Sequence, residues 1–297
     1  MKKIKIGYFG DGLWAYNALN IIIKDERFEI KFICGRFDSL DETLKSFAVE
    51  NKIEFIRHKN VNSDEFLNLI RKFDCDLFVS MSFNQILKKQ FIHLPPLKTI
   101  NCHASKLPFY RGRNVLNWVL INDEKEFGIT VHYVDEGIDT GDIILQKIYP
   151  ISDEDDYKSI LERAYINCAN VLYEALINIY NDEVQVIKQA DIHNVGFYCV
   201  RRIQGDEIID WNQSSRDIFN FVRAICSPGP MALTHIDKEE VKINKVSLIK
   251  DAINYRLIPG TVIGFKGSAV IVKTADNSIL IDEYYSKKRL KIGDRLK

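Results

Sequence analysis

The residues best suited to chemistry lie close together in the chain, between positions 101 and 146. Asn101 and His103 are separated by one residue, and Asp139 follows in a loop-forming stretch rich in glycine and acidic residues. Residues two apart in an extended chain project to the same side. The amide of Asn101 and the imidazole of His103 are therefore predicted to lie side by side at the end of the apolar strand 97–100. An imidazole can take a proton from a nucleophile, a carboxylate can orient it, and an amide N–H can stabilise an oxyanion. These residue types therefore predict acyl-transfer chemistry.

The surrounding motifs decide between this hypothesis and a plain structural one. Alone, an Asn-x-His pair is typical of a turn cap beside a hydrogen-bonded core histidine. Here the pair is followed in order by Ser-x-Leu-Pro, Tyr-Arg-Gly and Asp-x-Gly-x-Asp-Thr-Gly-Asp-Ile. This combination resembles the folate-dependent formyltransferases, which move a formyl group from N10-formyltetrahydrofolate to an amine. The resemblance implies that Asn101, His103 and Asp139 are catalytic and that N10-formyltetrahydrofolate is the formyl donor.

The same resemblance assigns residues to both ligands. The folate is expected to be held largely through backbone groups of two loops, at Phe83, Gln85, Ile86, Leu87, Asp135, Glu136 and Gly137. The acceptor is expected at Gly10, Gly12, Ser105, Tyr110, Arg111, Gly112 and Asn114. A helix predicted from about Tyr110 through Trp118 puts guanidinium groups at a helix start, which suits a phosphate or pyrophosphate.

Length and composition restrict the class of protein. The 297 residues suffice for two domains, and 46% hydrophobic residues allow substantial cores. The formal net charge is zero, so bulk electrostatics do not favour nucleic acid as a partner. Six scattered cysteines show no metal-binding spacing, which predicts reduced thiols in a cytoplasmic protein without a metal site. The early apolar run is broken by Gly7, Gly10 and Asp11, and no stretch reaches the roughly twenty residues of a membrane span, so neither signal peptide nor membrane partner is expected.

Strands alternate with helices through the first half of the chain. β-Branched and aromatic runs predict strands at 3–9, 28–34, 53–56 and 76–80, with helices at 13–24, 41–51 and 63–72. Strands at 128–134 and 142–149 and a helix at 157–180 follow. This order predicts an α/β fold with a mostly parallel, Rossmann-like sheet. His132 occupies an alternating strand position and is predicted to be structural.

The opening turn, Gly-Asp-Gly-Leu-Trp-Ala, approximates a dinucleotide-binding fingerprint and keeps a dehydrogenase as an alternative. The acidic residue expected to meet a ribose is replaced by Arg36, which could instead suit a 2′-phosphate. Nothing downstream supplies hydride-transfer chemistry, so we favour a tight turn that lets backbone approach a phosphate or sugar.

The last third of the chain changes character. Residues 187–194 form a polar connection, and an amphipathic helix at 214–226 precedes several short strands separated by turns. Pro-Gly-Thr-Val-Ile-Gly-Phe near the C-terminus resembles the second domain of methionyl-tRNA formyltransferase and its sugar-modifying relatives. We therefore predict a formyltransferase domain at 1–190, a linker at 191–205 and a small OB-like β-barrel domain at 206–297.

Three features bear on the amine that is formylated. The segment 36–50 carries Asp38, Asp41, Glu42 and Glu50 against Arg36 and Lys45, the wrong balance for a phosphate-rich tRNA. The Ser-Lys-Leu-Pro and Tyr-Arg-Gly-Arg-Asn-Val-Leu-Asn-Trp motifs look closer to sugar-nucleotide N-formyltransferases, whereas a basic tail at 287–297 could touch RNA. We predict a nucleotide-linked amino-deoxysugar as substrate, in lipopolysaccharide or glycan biosynthesis, with methionyl-tRNA formyltransferase as the alternative. A non-catalytic RNA- or sugar-binding module is a third hypothesis, and the oligomeric state stays open.

Overall fold

The computed structural model describes residues 3–39 and 42–297. The chain divides into two compact units. Unit 1 comprises Met1–Gly112, Phe127–Tyr149 and Glu162–Cys199, and unit 2 comprises Arg113–Glu126, Pro150–Leu161 and Val200–Lys297. Each unit is assembled from three separate stretches, so neither corresponds to one uninterrupted segment. The linear division at 1–190, 191–205 and 206–297 stays a prediction.

The secondary structure follows the predicted alternation with small shifts at element ends. The strands are β1 (Ile4–Gly10), β2 (Phe28–Gly35), β3 (Glu54–Arg57), β4 (Leu77–Met81), β5 (Thr99–His103), β6 (Arg111–Gly112), β7 (Glu126–Tyr133), β8 (Ile143–Pro150), β9 (Tyr198–Cys199), β10 (Ala232–Ile236), β11 (Glu239–Leu248), β12 (Val262–Lys266), β13 (Ala269–Lys273) and β14 (Ser278–Ser286). The helices are α1 (Gly12–Ile22), α2 (Thr43–Glu50), α3 (Asp64–Arg71), α4 (Lys89–Ile92), α5 (Val115–Ile121), α6 (Tyr157–Tyr180), α7 (Gln189–Ile192) and α8 (Ser215–Ile225). The predicted start of the second helix at Asp41 lies outside the described residues. Among the helices described, none is long and apolar enough to cross a lipid bilayer.

The main sheet of unit 1 has seven strands in the order β3-β2-β1-β4-β5-β7-β8. β1 to β5 pair in parallel, whereas β7 runs antiparallel to β5. Central parallel strands are covered on both faces, which explains why β4 is an uninterrupted buried run, Leu-Phe-Val-Ser-Met. The predicted Rossmann-like, mostly parallel α/β fold is confirmed.

Aromatic side chains form the core beside β1, β2 and β4. The ring centroid of Phe9 lies 5.4 Å from Phe32, 5.3 Å from Phe78 and 4.9 Å from Phe91, each in an edge-on arrangement. Such pairs add about 0.5–1.5 kcal/mol beyond the burial of their surface. Phe83 joins the same cluster with a centroid distance of 5.7 Å to Phe9, so this core also fixes the start of the loop after β4.

The strand that carries the Asn-x-His pair begins and ends later than predicted. Lys98 adopts a left-handed φ of 69°, which delays the strand to Thr99. Hydrogen-bonded ladders then extend it through His103, because Asn101 pairs with Ser80 of β4 on one side and lies opposite β7 on the other. The pair therefore lies within β5 rather than beyond its end.

The predicted single helix from Tyr110 through Trp118 is wrong. Residues 111–112 form β6, which pairs with β9 in parallel, and α5 begins only at Val115. Tyr110 and Gly112 have left-handed φ values of 56° and 94°, which cannot continue a right-handed helix. The partner strand β9 is 87 residues away in sequence, at Tyr198 against Arg111, so no local pattern indicates it.

Unit 2 contains an antiparallel five-stranded sheet in the order β10-β11-β14-β13-β12. The amphipathic helix α8 packs against β11. Ser214 caps α8, because its hydroxyl oxygen accepts the backbone N–H of Asp217 at 3.1 Å. The sequence predicted a small OB-like β-barrel in this region, and the structure shows an antiparallel sheet of five short strands joined by turns.

Candidate active site

Two neighbouring strands bring the polar groups together on one face of the sheet. In the antiparallel ladder of β5 and β7, Asn101 lies directly opposite His132, and His103 lies opposite Thr130. Residues directly opposite one another project to the same face, as do residues two apart in one strand. The Asn-x-His spacing therefore places the amide of Asn101 and the imidazole of His103 on the same side of the strand, as predicted. The ladder adds a second imidazole, that of His132, to this pair.

The loop after β7 turns a carboxylate back towards these strands. The side chain of Asp135 accepts a hydrogen bond from the hydroxyl of Thr140 at 2.5 Å, which tightens the loop. Asp139 has a left-handed φ of 53°, a conformation that aspartate tolerates better than most residues. At Gly141 a Cβ atom would lie 1.8 Å from the carbonyl oxygen of Tyr133, so only glycine allows the loop to close on β7. The composition of this loop thus serves to aim the carboxylate of Asp139.

His103 is oriented through its Nε2 atom. Nε2 lies 3.0 Å from the carbonyl oxygen of Tyr110 and 3.7 Å from Oδ2 of Asp139. A carbonyl oxygen can only accept a hydrogen bond, so Nε2 carries a proton in this arrangement. The lone pair of the neutral ring is then on Nδ1, for which the described part of the chain provides no hydrogen-bond partner. Nδ1 is therefore the atom able to take a proton from an acceptor amine.

Asp139 is held by donors on both carboxylate oxygens. Oδ2 accepts the backbone N–H of Gly112 at 2.9 Å, and Oδ1 lies 3.5 Å from Nδ2 of Asn101. Burial alone would raise the pKa of this carboxyl group. Attraction to His103 and the hydrogen bond from the backbone of Gly112 hold the pKa below its usual value. A carboxylate that stays ionised favours the charged form of His103 after it has accepted a proton.

We give the name catalytic cluster to Asn101, His103, His132 and Asp139. The structure brings together the three residues predicted to be catalytic and adds His132 to them. Their catalytic roles are proposals, developed below.

Gln189 supports the cluster and was missed at the level of sequence. Its Nε2 donates to the carbonyl oxygens of Asp139 at 2.9 Å and Gly141 at 2.8 Å, and its Oε1 accepts from Nε and Nη2 of Arg111 at 3.1 and 2.6 Å. This buried amide therefore ties the Asp139 loop to β6, whose Gly112 donates to Asp139. Gln189 lies in the segment predicted as a polar connection, and a lone glutamine there carries no signal without its partners.

Arg111 is engaged within unit 1. Besides its two bonds to Gln189, its guanidinium lies 5.6 Å from the ring centroid of Tyr198. A Cβ atom at Gly196 would come 2.8 Å from Nη1, so the guanidinium also lies close to the backbone there. The predicted contact between Arg111 and the acceptor stays a prediction, and it would involve the side of the guanidinium that Gln189 does not use.

The loop after β4, predicted to hold the folate, leaves main-chain groups available. Gln85 is occupied, because its Nε2 donates to the carbonyl oxygen of His58 at 2.8 Å and its Oε1 accepts the N–H of Val61 at 3.0 Å. Among the described residues of this loop, the backbone N–H groups of Phe83, Asn84, Gln85, Ile86 and Leu87 have no acceptor within the protein. Unused main-chain donors fit the edge of a heterocycle such as a pterin. In the second predicted segment Glu136 and Gly137 are exposed. The folate assignments remain proposals.

The first turn is shaped by packing against β4. At Gly10 a Cβ atom would lie 2.9 Å from the carbonyl oxygen of Met81, and Gly12 has a left-handed φ of 61°. Arg36, the candidate partner of a 2′-phosphate, donates from Nε to the carbonyl oxygen of Ser82 at 2.7 Å and from Nη2 to its hydroxyl at 3.1 Å. Close packing and a turn therefore account for the glycines, and Arg36 is engaged in fixing the loop after β4.

The other residues predicted for the acceptor differ in exposure. Ser105 is fully buried and its hydroxyl donates to the carbonyl oxygen of Phe109 at 3.3 Å. The ring of Tyr110 is also buried. Asn114, in unit 2, is exposed, and its Oδ1 accepts the backbone N–H of Arg202 at 3.0 Å. The first two side chains shape the protein interior, whereas Asn114 faces solvent; all three assignments stay predictions.

Two protein-family models match this chain. The model described as formyl transferase matches residues 30–176, and the model described as formyl transferase, C-terminal domain, matches residues 203–297. The first match includes the catalytic cluster, and the second includes the antiparallel sheet of unit 2.

Individual relatives agree with these matches. The methionyl-tRNA formyltransferase of Fusobacterium nucleatum is 34% identical over 99% of this chain and 100% of its own length. That of Acetivibrio thermocellus is 30% identical over 98% of this chain and 95% of its own length. Among solved structures, WlaRD, a sugar 3N-formyl transferase crystallised in the presence of dTDP and 5-N-formyl-THF, has a TM-score of 0.69 at 24% identity, covering 98% of this chain and 100% of its own. At that identity the structural match supports the fold alone.

Proposed function

We propose a function from one established premise, that this chain belongs to the formyl transferase family and is a formyltransferase. N10-Formyltetrahydrofolate is the formyl donor. In our proposal the acceptor is the amine of an amino-deoxysugar linked to a nucleoside diphosphate, as used in lipopolysaccharide or glycan biosynthesis. The observation that carries the acceptor assignment is a pocket in unit 2 that contains two adjacent arginines, Arg201 and Arg202.

Proton transfer is assigned to His103. As the acceptor amine attacks the formyl carbon its nitrogen becomes positively charged, and Nδ1 of His103 takes the excess proton. Asp139 keeps the ring in place through the Nε2 side and stabilises the imidazolium. General base catalysis of this kind contributes about 10²–10⁴-fold in rate. Protonated His103 can then return the proton to the departing nitrogen, which leaves the residue neutral for the next cycle.

Charge stabilisation is assigned to Asn101. An N–H of its amide donates to the formyl oxygen as that oxygen gains negative charge. One such donor in an oxyanion hole is worth about 2.7–4 kcal/mol. The donor folate supplies the formyl carbon and accepts a proton at the nitrogen that carried it, so the products are a formamide and tetrahydrofolate.

The pocket in unit 2, which we call the arginine pocket, has the size and charge for a nucleoside diphosphate. Its volume is about 610 Å³ and its lining includes both arginines and one carboxylate, that of Glu207. The guanidinium of Arg202 lies 5.7 Å from the ring centroid of Trp118 and 5.5 Å from that of Phe221, which fixes its plane. Burial lowers the pKa of Arg202, so a bound anion would stabilise its charged form. Arg201 is exposed and has no partner among the described contacts.

A parallel assay tests the acceptor. Purified protein receives N10-formyltetrahydrofolate with a panel of nucleotide-linked 3- and 4-amino sugars, or with initiator methionyl-tRNA. We expect formylation of a sugar nucleotide. Arg201→Gln and Arg202→Met should raise the KM for that acceptor at least 10-fold, because a charged hydrogen bond contributes about 1.5–3 kcal/mol. Arg256→Gln, at another exposed arginine of unit 2, is the matched control and should leave the KM unchanged. Formylation of the tRNA alone would overturn the sugar assignment.

Methionyl-tRNA is the second candidate acceptor, because the 34% identical relative that matches 99% of this chain is a methionyl-tRNA formyltransferase. The basic C-terminal tail is the segment that bears on it. Leu290 and Leu296 are buried, and the backbone of Lys297 pairs with that of His235, so the tail belongs to the folded unit. Truncation would therefore damage unit 2, and reversal of exposed charges is the cleaner test. If Lys291→Glu and Arg295→Glu abolish tRNA formylation while the protein stays folded, the tRNA candidate is favoured.

A further inference from the structure

His132 is buried among the catalytic residues although its position in β7 predicts only a structural role. Its side chain is 2% exposed. The β5–β7 register places it directly opposite Asn101, so the two side chains share one face of the sheet. Burying an imidazole has a free-energy cost unless its nitrogens are hydrogen-bonded, so the partners of both ring nitrogens define what the residue does.

The tautomer of His132 follows from its neighbours. Nδ1 lies 2.7 Å from the carbonyl oxygen of Tyr133, the next residue in the strand. Because a carbonyl oxygen can only accept, Nδ1 carries a proton. The neutral ring therefore presents the lone pair of Nε2, which lies 3.2 Å from Nδ2 of Asn101 and farther, at 3.5 Å, from Oδ1 of Asp139.

The same reasoning fixes the orientation of the Asn101 amide. Two acceptors converge on one end of it, the Nε2 lone pair of His132 at 3.2 Å and Oδ1 of Asp139 at 3.5 Å. Only the NH₂ end can satisfy both, because the carbonyl end would meet two acceptors. One N–H is thus anchored by His132, and the other is held only by the longer contact with the carboxylate. That second N–H is the one able to turn to a developing oxyanion.

We infer that His132 is a positioning residue for formyl transfer, whose Nδ1-protonated tautomer anchors the Asn101 amide so that its second N–H meets the oxyanion. The inference rests on the membership of this chain in the formyl transferase family and on the role proposed for Asn101. It is independent of whether the acceptor is a sugar nucleotide or a tRNA. Loss of a hydrogen bond that orients a donor should cost less than loss of the donor itself, which is about 10²–10³-fold in kcat.

Two substitutions of His132 distinguish a role in positioning Asn101 from a purely structural role. His132→Leu removes the acceptor for Asn101 and fills the space with an apolar side chain. His132→Gln restores an acceptor oxygen near the position of Nε2. With whichever acceptor the wild-type protein formylates, we expect His132→Leu to lower kcat about 10-fold or more with the KM for the folate donor unchanged, and His132→Gln to recover most of the loss.

Ile129→Val is the matched control on the same strand, because it removes one buried methyl group away from the cluster. It should leave kcat unchanged. If His132→Gln is as slow as His132→Leu, or if Ile129→Val lowers kcat equally, His132 acts through the stability of β7 and the inference is wrong.

A spectroscopic measurement tests the tautomer without any acceptor. Long-range ¹H–¹⁵N spectra distinguish a protonated from an unprotonated ring nitrogen, and the missing signals of His132→Gln assign the resonances. We expect Nδ1 protonated and Nε2 unprotonated near neutral pH. Nε2 protonated with Nδ1 unprotonated would overturn the anchoring of Asn101, whereas failure to formylate any amino sugar would affect only the proposed acceptor.

Discussion

The catalytic cluster of unit 1 and the arginine pocket of unit 2 differ in how far their polar groups are already hydrogen-bonded within the protein. In the cluster Asp139 receives hydrogen bonds on both oxygens, and Gln189, which supports the cluster, uses both ends of its amide. In the pocket Arg202 lies against aromatic rings and donates one N–H to the carbonyl oxygen of Asp206, and Arg201 is exposed without a described partner. A reaction centre gains from groups fixed before the substrate arrives, whereas a recognition pocket needs donors that the ligand will use. Changes in the cluster should therefore act on kcat, and changes in the pocket on KM.

The largest effect is expected at the proton acceptor. His103→Ala should lower kcat by about 10²–10⁴-fold with donor binding largely kept, because the amine proton loses its base. Asp139→Asn should lower kcat in the same range, since the imidazolium then has no ionised partner. Steady-state kinetics and direct titration of the folate measure the two quantities. His235→Ala, at a partly buried histidine in unit 2, is the control; a folded His103→Ala protein with wild-type turnover would contradict the assignment.

A smaller effect on kcat is expected at Gln189. Gln189→Leu removes both hydrogen bonds that hold the backbone at Asp139 and Gly141, and it frees Arg111. We expect roughly 10-fold lower kcat, because a loop displaced by a fraction of an ångström misplaces the carboxylate. The KM for the acceptor would report on Arg111 in the same experiment. An unchanged kcat would show that the loop holds its shape without this amide.

Ionic strength should separate the two regions without any mutation. Between low and high salt the Debye length shrinks from about 10 Å at 0.1 M to about 3 Å at 1 M, which screens an open, charged pocket. The KM for the anionic acceptor should rise several-fold with sodium chloride, while kcat and the KM for the folate change little. Equal sensitivity of kcat would contradict the division of roles between cluster and pocket.

The smallest expected effect concerns stability. The folded pKa of Asp139 is below its unfolded value, so ionised Asp139 contributes stability that is fully present above about pH 4 and is lost as the pH falls through the folded pKa. The unfolding free energy of the wild type relative to that of Asp139→Asn should therefore decrease as the pH falls below 4. Urea unfolding at pH 7 and at successively lower pH measures it. A difference that is constant with pH would mean that the charge of Asp139 contributes nothing to folding.

Much of the fold could be predicted because its signals are local. The alternation of strands and helices, the buried run of β4 and the amphipathic helix α8 each follow from periodicity within a few residues. The prediction of a helix across Arg111 and Gly112 failed because the partner strand β9 lies far along the chain, and only tertiary pairing turns residues 111–112 into a strand.

The sequence by itself determined that an amide, an imidazole and a carboxylate are available at Asn101, His103 and Asp139, because side-chain type and spacing carry that information directly. It also determined the tight loop around Asp139, since glycine and aspartate permit the required backbone angles. The tertiary structure decided which nitrogen of His103 is free, that His132 faces Asn101, that Gln189 holds the Asp139 loop, and that Arg111 is engaged. These properties depend on partners brought together by sheet register and chain crossing, and a hydrogen bond between residues distant in sequence leaves no pattern at either residue.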